Sequence, residues 1–92
     1  PWVGVSTYDV QVSRRAAQAI GRLPRKEQRR VQAAIELLAG EPRPPGCVAM
    51  SGEASVYRVR VGSYRIVYEV VDRRLVVLVV RVGHRRDVYR PR

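Results

Sequence analysis

Residues 56–68, Val56-Tyr57-Arg58-Val59-Arg60-Val61-Gly62-Ser63-Tyr64-Arg65-Ile66-Val67-Tyr68, constrain this chain more than any other stretch. The run alternates strictly up to Gly62, and Gly-Ser between two β-branched runs is a two-residue hairpin loop. Pairing outward from that loop sets Val61 opposite Tyr64, Arg60 opposite Arg65 and Arg58 opposite Val67. Opposed residues share a face of the sheet. Arg58, Arg60 and Arg65 therefore leave one face, and Tyr57, Val59, Val61, Tyr64, Ile66 and Tyr68 leave the other. Like charges set directly opposite each other cost stability. Three arginines gathered this way call for an anion.

The chain is 92 residues long, which suits one domain over residues 1–92 with a modest core. Eighteen Lys plus Arg against eight Asp plus Glu give a net charge of +10, and Lys26 is the only lysine. Arginine suits bidentate phosphate contacts and stacking on bases. The balance predicts a polyanionic partner, nucleic acid before membrane; the plainer alternative is a basic protein kept soluble by its charge. Cys47 is the single cysteine, which excludes an internal disulfide and suits a reducing compartment. It has no neighbouring His or Cys cluster, so neither a metal nor another cofactor is expected. No apolar run approaches a membrane span, and Pro1-Trp2-Val3-Gly4 lacks the features of a signal peptide, so the expected location is the cytoplasm.

Along the chain, Val5 to Val12 reads as a half-buried strand with Tyr8, Val10 and Val12 on one face. Ser13 is an N-cap for a helix from Arg14 to Leu23, whose Ala16, Ile20 and Leu23 form an apolar stripe. Pro24 stops it and opens a second helix to Ala39, with Val31, Ala34, Ile35 and Leu38 inward and Gly40 as the stop. Helices joined this closely make an αα-hairpin whose stripe must cover a sheet. Their Arg-rich outer surface reads as a solvated face. Glu41 to Ser55, rich in Pro and Gly, is a loop long enough to carry function or mobility. After the hairpin, Leu75 to Val80 is a continuous apolar run, the pattern of a strand buried on both faces. Asp72-Arg73-Arg74 is the turn before it. A three-residue loop there puts Arg81 on the cationic face opposite Arg65, and a two-residue loop turns it away.

The order strand, helix, helix, three-stranded meander and basic tail resembles the RelE/ParE superfamily of type II toxin–antitoxin toxins. The residues that carry the resemblance are 56–70, containing Tyr57-Arg58-Val59-Arg60-Val61-Gly62-Ser63-Tyr64-Arg65-Ile66-Val67-Tyr68, and then Val82-Gly83-His84-Arg85-Arg86-Asp87-Val88-Tyr89, with the Leu23-Pro24 helix junction. The resemblance implies an α+β fold of βααβββ order, helices on one sheet face and a basic concave face opposite. It also implies a ribosome-dependent mRNA endonuclease that cuts A-site mRNA by attack of the ribose 2′-OH, inhibits translation, and is restrained by a cognate antitoxin. By position, the family's basic hairpin sites fall on Arg58, Arg60 and Arg65, its tail arginine on Arg85 and its tyrosine on Tyr89. The best-studied RelE toxins carry lysines at the first two.

Such cleavage needs a proton acceptor, a proton donor and positive charge on the phosphorane. Arginine, which stays protonated at any physiological pH, meets the third need and hardly the first. Arg65, near the sheet centre, is either the phosphate clamp or a cation paired with Glu69 or Glu53. Arg58, Arg60, Arg81 and Arg86 are candidate RNA-backbone contacts, and Arg85 a source of charge for the leaving group. Histidine is the side chain suited to proton transfer near neutral pH, so His84 or Tyr89 is the candidate for that role. The alternatives are a turn residue for His84 and a ring packing the tail for Tyr89. Two other functions fit the chain: a ParE-like gyrase inhibitor of the same fold without catalysis, and a basic RNA-binding module without toxicity.

Overall fold

The computed structural model describes residues 7–52 and 54–84. Strand β1 (Asp9–Val12) is followed by helices α1 (Arg14–Gly21) and α2 (Arg25–Leu37), then β2 (Val48–Ala49), β3 (Val56–Val61), β4 (Tyr64–Val71) and β5 (Val76–His84). The strands form one sheet in the order β1-β5-β4-β3-β2, in which β1 runs parallel to β5 and every other neighbour is antiparallel. The α+β arrangement agrees with the expected order and gains one strand. Val48 and Ala49, inside the stretch expected to be loop, pair with Arg58 and Tyr57. Two residues amid prolines and glycines give no periodicity to detect.

Ser13 joins the sheet to the helices. Its Oγ accepts from the Ala16 N–H at 3.1 Å, capping α1, and the same hydroxyl donates to the Val80 carbonyl at 3.2 Å. Its own N–H donates to Val79 at 2.9 Å. At the other end of α1, the Gln28 side-chain amide donates to the Ile20 carbonyl at 3.1 Å, which fixes the turn into α2. Both helices lie on the sheet face that carries Ile66, Tyr68 and Val70 of β4 and Val77, Val79 and Val82 of β5. Ala16, Ile20, Val31, Ile35 and Leu38 complete that core. Burying each of the larger aliphatic side chains contributes about 1.5–3 kcal/mol.

The spacing of the inward valines on β5 is two residues and then three, and the backbone follows it. Tyr68 pairs with Val79 but Val67 pairs with Arg81, so Val80 is the extra residue of a β-bulge. A regular ladder would place Arg81 among the helices and Val82 in solvent. Taking an unpaired charge out of water costs several kcal/mol, more than one irregular pair. Val71 pairs with Val76, so the connecting loop is Asp72–Leu75. Neither loop length considered from sequence applies: the bulge, rather than the loop, decides that Arg81 shares the face of Arg65.

The apolar run also begins later than its composition suggests. Leu75 has φ 54° and closes the short 3₁₀ turn through its N–H to the Asp72 carbonyl, leaving the side chain 40% exposed. Val77 and Val79 are fully buried, whereas Val76, Leu78 and Val80 on the other face are half-buried. Complete burial on both faces therefore does not hold for this strand: helices cover one side only. At the β3–β4 turn the expected register is met residue for residue, with Gly62 at φ 61° supplying the left-handed position. No helix among the described residues is long and apolar enough to cross a membrane.

Candidate nucleic-acid interface

The sheet face away from the helices is read most simply as rows of cross-strand partners. One row runs Val48, Arg58, Val67, Arg81 across β2, β3, β4 and β5, and the next holds Arg60, Arg65 and Gly83. Gly83 has no side chain to crowd Arg65 from the β5 side. Gly46 and Val48, brought in by the loop that carries β2, close the other side. Together with Arg58, Arg60 and Arg65 they line a hollow of about 200 Å³. Arg58 and Arg65 are half-buried against its floor, while Arg60 is exposed at its rim. The space is of phosphate size, and guanidinium groups carry planar donors whose geometry matches phosphate oxygens in pairs.

Arg58, Arg60, Arg65 and Arg81 thus occupy one face, with Arg81 exposed one strand beyond Val67. His84 does not join them. It pairs with Tyr64, on the side of the sheet that the helices cover, and meets that ring edge-on at 5.8 Å between centroids. Arg85, Arg86 and Tyr89 lie outside the described residues. Tyr57, Tyr64 and Tyr68 pack on the core, as parity requires. Gly46 and Val48 were not singled out from sequence, because nothing local in a Pro/Gly-rich loop says that it returns to the sheet. Among the described residues no group of three or more His, Cys, Asp or Glu is placed to hold a metal ion.

A further arginine shows what the same side chain does when the fold uses it for structure. Arg43 Nη2 and Nη1 contact the two oxygens of Asp72 at 2.7 and 3.3 Å, and its Nε donates to the Tyr57 hydroxyl at 2.9 Å. The Tyr8 hydroxyl donates to Asp72 Oδ1 at 2.7 Å. The hydrogen bonds from Arg43 and then Tyr8 hold the Asp72 carboxyl below the usual carboxylate range, and the bond to Asp72 raises the Tyr8 phenol. Nearby, the fully buried Tyr68 stacks on Tyr57 and donates to the Pro42 carbonyl at 2.8 Å; burial is the main cause of its raised pKa. This cluster ties the start of the loop preceding β2 to β1, β3 and the β4–β5 turn, and so supports the wall of the hollow.

Comparison with known proteins agrees with this architecture. Residues 10–89 match the family model described as the ParE toxin of the type II toxin–antitoxin system, parDE. The chain is 31% identical to toxin RelG of Mycobacterium tuberculosis over 87 residues, covering 90% of this chain and 97% of that protein. Among solved structures, the toxin–antitoxin complex RelBE2 of Mycobacterium tuberculosis superposes with a TM-score of 0.77 at 26% identity, covering 86% of this chain and 92% of the other. The archaeal RelE–RelB complex of Pyrococcus horikoshii OT3 gives 0.75 at 27% identity, with coverage of 86% and 96%. With its helical hairpin over an antiparallel meander, and with these relatives, the chain belongs to the RelE/ParE superfamily of type II toxin–antitoxin toxins.

Proposed function

We propose that this toxin is a ribosome-dependent mRNA endonuclease that cuts A-site mRNA by attack of the ribose 2′-OH on the adjacent phosphate. The supporting observation is the meeting of Arg58, Arg60 and Arg65 in one hollow, with Arg81 in line beside it. In that setting Arg65 holds the scissile phosphate and stabilises the negative charge that grows on the phosphorane, an electrostatic contribution made by groups already in position. Arg58, Arg60, Arg81 and Arg86 hold the flanking backbone, Arg85 offsets charge on the leaving 5′-oxygen, and Tyr89 or His84 moves the proton. His84 begins on the other face of the sheet, so this scheme assigns the proton transfer at the hollow to Tyr89. The products are a 2′,3′-cyclic phosphate or 3′-phosphate and a 5′-OH.

A cognate antitoxin is the proposed regulator, by analogy with the RelB partners of the relatives. A segment with acidic and apolar side chains that folds on binding would neutralise the cationic face. The groove between β1 and the helices is lined by Val12, Ala17, Ile20 and Ile35 with Gln32 and Glu36 beside them; with Val12 40% exposed, it offers a seat for the apolar side chains of that segment.

The test is purified toxin on ribosome-bound mRNA with mapping of the cut ends. Cuts between codon positions that disappear with Arg65→Ala, at unchanged folding, support the nuclease. The match to the ParE model keeps gyrase inhibition as the second reading: intact mRNA together with blocked DNA supercoiling by gyrase would replace the first reading with it.

A further inference from the structure

Strand β1 pairs with β5 only as far as Val12 opposite Val79. Beyond Val79 the outer side of β5 is flanked by helix α1 instead of a strand. Arg15 and Gln18 on α1 and Arg22 at its C-cap fall at i, i+3 and i+7, so they share one side of the helix. With Tyr64, Arg81 and His84 they line a cleft of about 480 Å³. Among the described residues no acidic side chain lines it. Arg15 and Arg81 also line a trough of about 510 Å³ on the open sheet face, together with Val67, the cross-strand partner of Arg58. Hollow, trough and cleft therefore follow one another around the edge of the sheet. Arg58 and Arg81 are two strand spacings apart, about 10 Å. Glu69 also lines the trough, but in the row of Val56 and Leu78 rather than the row of Arg58 and Arg81.

We propose that the α1–β5 cleft is a second phosphate-binding surface, so that one RNA strand leaving the hollow passes Arg81 and is held again by Arg15 and Arg22. The inference rests on the RNA reading of the hollow and extends it to a surface that composition alone marks as an ordinary solvated helix face. Alternating guanidinium groups and open space suit a flexible polyanion better than a compact ligand. Tyr64 and His84 offer ring surfaces on which a base stacks.

The experiment measures binding of the full chain to 2′-O-methyl oligouridylates, which have no free 2′-OH to attack, over a range of salt. Arg15→Gln with Arg22→Gln is expected to weaken a long oligomer about tenfold, to lower its salt slope by roughly 1.4, about 0.7 for each lost contact, and to leave a dinucleotide unaffected. Arg58→Gln with Arg60→Gln weakens both ligands. Arg73→Gln with Arg74→Gln, on the distant β4–β5 turn, removes the same charge and leaves the long oligomer nearly unchanged. The proposal is overturned if the α1 pair leaves the long oligomer at full affinity, if it weakens the dinucleotide equally, or if the turn pair matches its effect. It is also overturned if the α1 pair changes only binding of an acidic peptide. Failure of the RNA reading itself looks different: the Arg58 and Arg60 substitutions then change neither ligand.

Discussion

The two ends of β4 treat arginine in opposite ways. At the turn end, Arg43 is joined to Asp72 through both carboxylate oxygens and to Tyr57 through hydroxyl and ring, with the guanidinium carbon 5.2 Å from the ring centroid. At the hairpin end, Arg60 faces Arg65 directly, with Arg58 one row away. The first arrangement satisfies a cation with groups of its own chain and yields a tether. The second sets like charges against each other, a local cost of roughly 0.2–1 kcal/mol per pair. Stability alone does not select that pairing; in the proposed RNA complex a bound phosphate would offset it. At one end a carboxylate lies at hydrogen-bonding distance from the guanidinium, and at the other a second guanidinium stands in the directly opposed position.

The sharpest way to break this contrast is Arg65→Ala. If the hairpin end serves chemistry, cleavage of ribosome-bound mRNA falls by about 10²–10³-fold, as for loss of a charge-stabilising donor, with little change in Tm. Next comes Ser13→Ala, which removes the α1 cap and the hydroxyl bond to the bulge together. Thermal or denaturant unfolding should show a loss of about 1–2 kcal/mol. Tyr68→Phe, which leaves the Pro42 carbonyl without its buried donor, should cost about 1 kcal/mol and act at the turn end.

Asp72 gives the contrast a pH signature. Its carboxyl is depressed in the fold, so its contribution is present above the unfolded value near 3.8 and is lost as pH falls through the lower folded value. Asp72→Asn should flatten the decline of Tm below pH 4 and leave RNA binding at neutral pH intact. The smallest effect is expected from Arg60→Gln. Relieving the opposed pair should raise stability by a few tenths of a kcal/mol while weakening RNA binding, a change of opposite sign in two measurements.

Much of the hairpin end was legible in the residues themselves. Strict alternation around Gly62-Ser63 determines parity, and parity determines which side chains share a face, so the opposition of Arg60 and Arg65 needed no coordinates. The helices were legible for a similar reason, since Ala16, Ile20, Val31, Ile35 and Leu38 repeat at the helical period. What sequence did not show depends on contacts between distant segments. The return of Val48 and Ala49 to the sheet is decided by their partners on β3. The side of the sheet on which Arg81 lies was left open because counting loop residues assumes an unbroken ladder. His84 was grouped with the catalytic candidates for its chemistry, while the register sends it to the side of Tyr64. The tether of Arg43, Asp72 and Tyr8 spans 64 residues of chain between its two ends, beyond any local pattern.

The irregular step at Val80 has a consequence for how β5 tolerates changes in length. Removing one residue from a regular strand inverts the orientation of everything downstream. Here the strand carries its own slack: without Val80, Val79 and Arg81 would become consecutive and still meet Tyr68 and Val67. A shortened protein is expected to present the same side chains to the same sides on a straighter ribbon. The spare residue would then be a source of curvature, and the deletion would separate the bend of the sheet from the identity of what it displays.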